Sequence, residues 1–163
     1  MDALKKNDCD GQGITNKQNN ILLVKQENQD LGFVGFPKEI DQSIIEQIVS
    51  KKKVPVIAPL GLDENNQVFN INADTAAGAI AKKLNARRLI IMSDVEGVLD
   101  NDKKLISEIN TNKISELIKN ETISGGMIPK INNCLDVASN GVKGVCIIDG
   151  RLKHSILFEL LSD

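Results

Sequence analysis

Short apolar runs alternate along this chain with segments in which apolar residues recur every three or four positions. The runs predict β-strands, and the clearest lie at 21–25, 54–58, 88–92 and 144–148, with a shorter one at 68–71. The periodic segments predict helices that begin at Pro37, Ala73, Asn112, Gly126 and Lys153. Strands that alternate with helices in this way are typical of an α/β fold.

Three of the runs, 54–58, 88–92 and 144–148, are almost entirely apolar. This is the pattern of strands that are covered on both faces. We therefore expect an α/β fold, a three-layer αβα sandwich with a largely parallel central sheet. Ligands bind in such folds at the carboxyl ends of the strands, so the segments that follow these runs are the candidate functional segments.

Composition narrows the possible function classes. The chain has 163 residues, a net charge of −2 and phenylalanine as its only aromatic residue, so no basic stripe with interleaved aromatics favours nucleic-acid binding. No apolar run approaches the ~18 residues of a membrane span, and no secretory core is visible near Met1, which favours the cytoplasm. His154 is the sole histidine, which excludes a multi-histidine metal site. Reduced core thiols are favoured for Cys9, Cys134 and Cys146 over a disulfide or metal site.

The segment Ser124–Lys130 reads Ser-Gly-Gly-Met-Ile-Pro-Lys and precedes a helical apolar pattern. The helix is expected to begin near Gly126, and Pro129 suits a first turn because its missing N–H costs little there. Lys130 would then lie at the positive end of the helix dipole, where a cation is unfavourable unless an anion binds beside it. Phosphate is the usual anion at such a place. An ordinary Gly-Gly turn followed by a surface lysine is the alternative.

Other polar segments also follow predicted strands. Asn70 and Asn72 alternate on a strand and should point to one side, and Asp74 should lie in the first turn of the next helix. The other two segments are Ser93–Asp100 and Asp149–Arg151. Purely structural interpretations stay open for all three: a helix cap with a carboxylate at the dipole, a plain βα loop, and a tight turn with a surface charge.

Several familiar catalytic patterns are missing from the sequence. It contains neither the P-loop pattern G-x-x-x-x-G-K-[ST] nor a strand-linked G-x-G-x-x-G, so a P-loop or Rossmann nucleotide site is excluded. A hydrolase triad built on His154 would lack a nucleophile elbow.

Taken together, these segments closely resemble the acetylglutamate kinases, a branch of the amino acid kinase family. The strings that carry the resemblance are Asp30–Gly35, Asn70–Ala77, Ser93–Asp100, Ser124–Lys130 and Ile148–Arg151. The resemblance runs from about Gly13 to Asp163. It implies transfer of the ATP γ-phosphoryl group to the side-chain carboxylate of N-acetyl-L-glutamate, a step of arginine biosynthesis, with Mg²⁺ carried by the nucleotide phosphates.

The resemblance also implies roles for particular residues. Lys130 would stabilise negative charge on the transferring phosphoryl group, and Asp74 would orient the catalytic lysines. Asn70 and Asn72 would bind acetylglutamate. The predicted nucleotide-binding residues are Ser93, Asp94, Val95, Glu96, Gly97, Val98, Leu99, Thr122, Ile123, Ser124, Gly126 and Met127.

His154 and Glu159 resemble the carboxyl-terminal signature of the arginine-inhibited members, so they are a possible arginine effector site. The resemblance further implies a homo-oligomer, a dimer or a hexamer, for the full-length parent. Residues 1–60 would be the remainder of an amino-terminal lobe that binds acetylglutamate and dimerises, and residues 61–163 the nucleotide-binding lobe.

The chain also departs from the family pattern. The usual first strand, with its catalytic lysine and glycine-rich loop, is missing, and so is the last carboxyl-terminal strand. We therefore expect a fragment with poor kinase activity of its own. The alternatives are another amino acid kinase, specific for carbamate, glutamate, aspartate or uridylate, and a non-catalytic nucleotide-binding relic.

Overall fold

The computed structural model describes residues 1–100, 102–106, 109, 111–123 and 125–161. The chain forms two compact units, Met1–Leu84 and Asn85–Asp163, here called the first and the second unit. The functional division predicted at residues 60 and 61 stays a prediction.

In the first unit, two runs of three strands are each followed by a helix. Its elements are α1 (Asp2–Lys5), β1 (Gly11–Ile14), β2 (Leu22–Gln26), a 3₁₀ turn (Gln29–Leu31), β3 (Gly35–Ile40), α2 (Gln42–Ser50), β4 (Val54–Ile57), β5 (Leu60–Leu62), β6 (Val68–Asn70) and α3 (Ala73–Lys83). Strands β1 and β4 form a parallel pair. The other four form a sheet in the order β3-β2-β5-β6, in which only β2 and β5 run parallel.

The core of the first unit is aliphatic and tightly closed. Leu22 is fully buried, and Ile14 and Ile71 are each 1% exposed. The remaining members of this cluster are Ile21, Val24, Ile45, Ile48, Phe69 and Ala76. Strands β2 and β6 and helices α2 and α3 all contribute to it, so burial of these side chains holds the sheet and the helices together.

Pro37 does not open a helix, contrary to the sequence-based expectation. It lies inside β3, opposite Val24, where the register shifts. Strand β3 is at the edge of its sheet, and an edge strand tolerates a residue without an N–H. Helix α2 begins at Gln42 instead, because the Asp41 carboxylate accepts a hydrogen bond from the Ser43 N–H at 2.9 Å and caps it.

The expectation that 54–58 and 88–92 are covered on both faces is also wrong. Val54 and Val56 are each 41% exposed on β4, and Met92 is 50% exposed near the end of the next long strand. Strand β4 pairs with β1 alone among the described strands, and α2 contacts it. A narrow sheet with one helix against it buries alternate residues, even when all of them are apolar.

The second unit contains β7 (Arg88–Ser93), α4 (Thr111–Lys119), α5 (Met127–Ser139), β8 (Gly144–Asp149) and α6 (Ser155–Leu161). Strands β7 and β8 are parallel and in register along their whole lengths, from Arg88 opposite Gly144 to Ser93 opposite Asp149. Its core groups Val98, Ile114, Ile123 and Ile131. The α/β class and the parallel pairing are confirmed. No helix in the described ranges is long and apolar enough to cross a membrane.

Candidate functional site

The carboxyl ends of β7 and β8 lie side by side in the second unit. The Gly150 N–H donates a hydrogen bond to the Ser93 carbonyl at 2.8 Å, directly beyond the last strand pair. Ser93 is 8% exposed, whereas Asp94 and Glu96 are exposed on the loop that follows. The structure therefore places an acidic loop at the sheet edge where α/β folds bind ligands.

This loop, residues 94–99, is here called the β7 loop. Gly97 has φ +135°, a backbone conformation that side chains rarely adopt, so any other residue there would be strained. Val98 is 6% exposed and packs in the core. Leu99 forms an isolated antiparallel bridge with Leu105, which turns the segment back on itself.

Two of the predicted nucleotide-binding side chains belong to the core. Val98 and Ile123 both pack in the cluster of the second unit, and Ile123 is 1% exposed. Any contact that these two residues make with a ligand therefore falls to their backbone groups. Thr122 and Met127 are half-buried, and Ser124 lies outside the described residues.

Helix α5 begins where the sequence predicts. Gly126 is its N-cap residue, Pro129 and Lys130 fall in its first turn, and no described side chain caps it. Gly125 has φ +54°, which glycine adopts without strain. Gly126 has ordinary helical angles, and a Cβ on it would meet nothing within 4 Å. The fold itself does not require glycine at 126, whereas close approach of a ligand would.

An ion pair follows β8 at the Asp149–Gly150–Arg151 turn. Asp149 is 5% exposed, and its Oδ1 accepts hydrogen bonds from the backbone N–H and the Nε–H of Arg151, both at 2.9 Å. Its Oδ2 accepts a third from the Arg151 guanidinium at 2.7 Å. These bonds hold the pKa of Asp149 below its usual range. The sequence marked this turn as a candidate segment, because a charged residue directly follows an apolar strand. It did not predict a role for the turn.

In the first unit, the predicted alternation of side chains along β6 is confirmed. Phe69 and Ile71 are buried, whereas Asn70 and Asn72 are exposed. Asn72 is also the N-cap of α3, since its Oδ1 accepts hydrogen bonds from the backbone N–H groups of residues 74 and 75 at 3.0 and 3.1 Å. Asp74 lies half-buried in the first turn of α3. The structural interpretation of Asn72 as a cap is correct, and its binding role stays a prediction.

The two residues of the possible effector site lie at α6. His154 directly precedes the helix with φ +64°, and its carbonyl accepts the N–H groups of Leu157 and Phe158. Glu159 contacts Arg88 at 3.6 Å, and the same arginine donates a hydrogen bond to the Glu159 carbonyl at 2.6 Å. Glu159 therefore links α6 to the first residue of β7, and its effector role stays a prediction.

A cavity of about 1050 Å³ is lined by residues of α4, α5, β8 and α6 and of the β7 loop. Apolar side chains dominate its lining, among them Ile131, Leu135, Ile147 and Phe158. Cys146 also lines it, and burial, followed by a hydrogen bond with Glu159, raises the pKa of this thiol to about 12. No group of three or more metal-ligating side chains occurs within the described ranges.

Comparison with known proteins shows the family to which this chain is similar. The chain is 66% identical to the acetylglutamate kinase of Pelagibacter ubique (strain HTCC1062) over 163 residues, which are all of this chain and 57% of that protein. The crystal structure of smu.665 from Streptococcus mutans UA159 superposes with a TM-score of 0.85 at 31% identity, over 91% of this chain and 60% of that one. Carbamate kinase from Giardia lamblia bound to AMP-PNP has the same fold, with a TM-score of 0.72 at 20% identity over 98% of this chain and 62% of the other.

The chain thus spans a little over half the length of the curated relative from Pelagibacter. The amino acid kinase family itself matches residues 1–149, which include the β7 loop, the start of α5 and the end of β8. On this match, together with the identity across its whole length, the chain belongs to the amino acid kinase family.

Proposed function

We propose that these 163 residues are part of an acetylglutamate kinase. Such an enzyme transfers the γ-phosphoryl group of ATP to the side-chain carboxylate of N-acetyl-L-glutamate. The observation that carries the proposal is the high identity to a curated acetylglutamate kinase along every part of the chain. The shared fold alone would not carry it, because one fold hosts many activities.

The proposed chemistry requires charge stabilisation more than proton transfer. The accepting carboxylate is already an anion, so no general base is needed, and the barrier comes from repulsion between anions and from alignment. Lys130, in the first turn of α5, supplies a cation where the helix dipole favours an anion. We assign it the stabilisation of charge on the transferring phosphoryl group.

The β7 loop and Gly126 are assigned to the nucleotide. The open space beside Gly126 leaves room for a phosphate to approach the backbone. The exposed carboxylates of Asp94 and Glu96 offer acceptors for ribose hydroxyl groups. Mg²⁺ is proposed to enter as part of the nucleotide, held by its phosphates.

The exposed amides of β6 are assigned to acetylglutamate. The Oδ1 of Asn72 is occupied by the N–H groups at the start of α3, so its Nδ2 is the group that can donate to an acetyl or carboxylate oxygen. Asn70, the last residue of β6, is also exposed. Asp74 is proposed to orient lysine ammonium groups through charge-assisted hydrogen bonds. The proposal also includes a cytoplasmic homo-oligomer.

A chimera tests this function directly. The chain replaces the matching part of the Pelagibacter enzyme, and ADP release is measured with N-acetyl-L-glutamate, carbamate, L-glutamate, L-aspartate and UMP as acceptors. We expect turnover with acetylglutamate only, trapped by hydroxylamine as the hydroxamate. A preference for any other acceptor contradicts the assignment.

Two variants of the chimera localise the catalysis. Lys130→Ala should lower kcat by about 10²–10³, the usual loss for one donor to a developing anion. Lys119→Ala is the matched control, since Lys119 is an exposed lysine in the last turn of α4, and it should leave kcat unchanged. The 163-residue chain alone should turn over several powers of ten more slowly than the chimera, by the same scale per missing donor.

A further inference from the structure

The ion pair after β8 lies next to the proposed nucleotide loop. Strands β7 and β8 end on the same pair, Ser93 opposite Asp149, and the Gly150 N–H donates to the Ser93 carbonyl. The β7 loop and the Asp149–Arg151 turn therefore leave the sheet at the same level, from adjacent strands. A contact that holds the Asp149–Arg151 turn in place therefore also restrains the start of the β7 loop.

Asp149 is a buried charge with a single well-defined partner. Its side chain is 4% exposed, whereas that of Arg151 is 58% exposed. A buried carboxylate is costly unless it is paired and hydrogen-bonded, and the two-pronged contact with the guanidinium meets that need. The same contact fixes the plane and direction of the Arg151 side chain.

Arg151 has capacity left after this pairing. A guanidinium carries five N–H donors, and the side-chain bonds to Asp149 use one from Nε and one from Nη2. The charges of Glu96 and Asp94 add to the effect of Asp149 in raising the pKa of Arg151. The strand register brings the two loops to adjacent strand ends, and Glu96 and Asp149 line the same cavity, so the arginine lies near the carboxylates of the β7 loop.

We propose that Arg151 is a positioning residue for the β7 loop. Asp149 holds the guanidinium in place, and the guanidinium attracts the Asp94 and Glu96 carboxylates, which fixes the loop in the shape that receives the nucleotide. The effect on nucleotide affinity rests on the proposed function, whereas the effect on the loop does not. In the contrasting account, Arg151 serves only to neutralise Asp149.

A pair of variants separates these two accounts. Arg151→Gln leaves a buried carboxylate unpaired and would disturb the turn under either account. The double variant Asp149→Asn/Arg151→Gln removes both charges together, so no buried charge is left without its partner. If the arginine acts on the loop, the double variant still loses that action. If it only neutralises Asp149, the double variant behaves like the parent chain.

Hydrogen exchange of the backbone amides of Asp100 and Ile106 is the first measurement, made on the 163-residue chain without ligand. These amides donate to the Lys104 and Val98 carbonyls at 2.8 Å and so report on the closure of the β7 loop. We expect exchange in the double variant to be about two- to fivefold faster, the range for a partly exposed ion pair, while the amides of β8 keep their protection. Asp94→Asn/Glu96→Gln should accelerate the same amides without touching the arginine. Exchange at the parent rate in the double variant overturns the proposal.

Calorimetric titration with MgADP is the second measurement. We expect the double variant to bind about two- to fivefold more weakly and with a smaller salt dependence than the parent. Arg151→Lys should bind MgADP more tightly than the double variant but more weakly than the parent, since lysine keeps the charge but lacks the planar guanidinium. If the parent chain itself binds no MgADP, the proposed function fails for this chain, and the exchange measurement still decides the role of Arg151.

Discussion

The two units differ in the space that lies beside their apolar cores. In the first unit, Leu22, Ile14 and Ile71 are at most 1% exposed inside a closed aliphatic cluster. In the second unit, residues of α5, β8 and α6 line a cavity of about 1050 Å³, and Phe158 on α6 is 73% exposed. Both units contain fully buried apolar residues, with Val137 an example in the second, so the difference lies in the cavity beside the core of the second unit.

This difference relates to the chemistry that each unit is proposed to perform. The proposed nucleotide-binding residues lie in the second unit, at the β7 loop and the start of α5. Regions that receive ligands come from the less stable part of a protein, because they must open and close at low cost. We therefore expect the second unit to unfold more easily and to gain more from a bound nucleotide.

Truncation of core side chains should produce the largest contrast between the units. Leu22→Ala should lower the free energy of unfolding by about 2–5 kcal/mol, because it leaves a hole in a closed cluster. Leu135→Ala is the matched variant in the second unit, where the side chain is half-buried and already lines the cavity. It should cost less than half as much in urea unfolding followed by circular dichroism.

Hydrogen exchange assigns each loss to a unit. Leu22→Ala should accelerate exchange in β2 and β5 and leave β7 and β8 unchanged if the units unfold separately. Equal costs for the two substitutions would contradict the comparison, since they would show that Leu135 is held as tightly as Leu22.

Adjacent glycines give the next largest effect and test the site in the second unit. Gly125→Ala should cost about 1–2 kcal/mol, because residue 125 has a positive φ. Gly126→Ala places its methyl group in open space at ordinary helical angles, so it should cost less in stability. Its main effect should be weaker MgADP binding by calorimetry. Normal binding by Gly126→Ala would remove the phosphate assignment at this helix start.

How far the sequence predicted these results depended on whether the deciding contacts were local. The start of α5 was predictable because Pro129 fixes its own φ and suits a first helical turn, while Gly125 adopts the positive φ that precedes the helix. The helix expected at Pro37 failed because pairing of β3 with β2, a contact distant in sequence, overrode the local signal. The role of Asn72 as a cap was visible as an alternative, and the structure supports it.

The cavity and the Asp149–Arg151 pair could not be predicted from the sequence. An apolar run such as 144–148 predicts a strand, but it does not say what covers the strand. The D-G-R turn predicts a tight reversal, whereas its orientation toward the β7 loop follows from the register of β7 and β8.

Acid should weaken the two units through different carboxylates. Arg151 lowers the pKa of Asp149, and hydrogen bonds from Ser43 lower that of Asp41. A carboxylate whose pKa is lower in the folded state adds stability above its unfolded value of about 4, and this stability is lost as the pH falls through the folded pKa. Asp149→Asn should therefore flatten the acid dependence of exchange in β8, and Asp41→Asn that in α2. An unchanged acid profile of β8 in Asp149→Asn would contradict the ion pair.

The smallest expected effect concerns the thiol of Cys146, and it tests whether the cavity keeps its lining away from water. Burial raises the pKa of Cys146 to about 12, so at pH 8 about one molecule in ten thousand carries the reactive thiolate. Iodoacetamide labelling followed by mass spectrometry should be far slower for Cys146 in the native chain than in urea. Glu159→Gln should accelerate the native reaction only slightly, because burial contributes more to the shift than Glu159 does. Native labelling at the rate seen in urea would mean that water reaches the thiol beside β8. That result would contradict the burial that raises the pKa of Cys146.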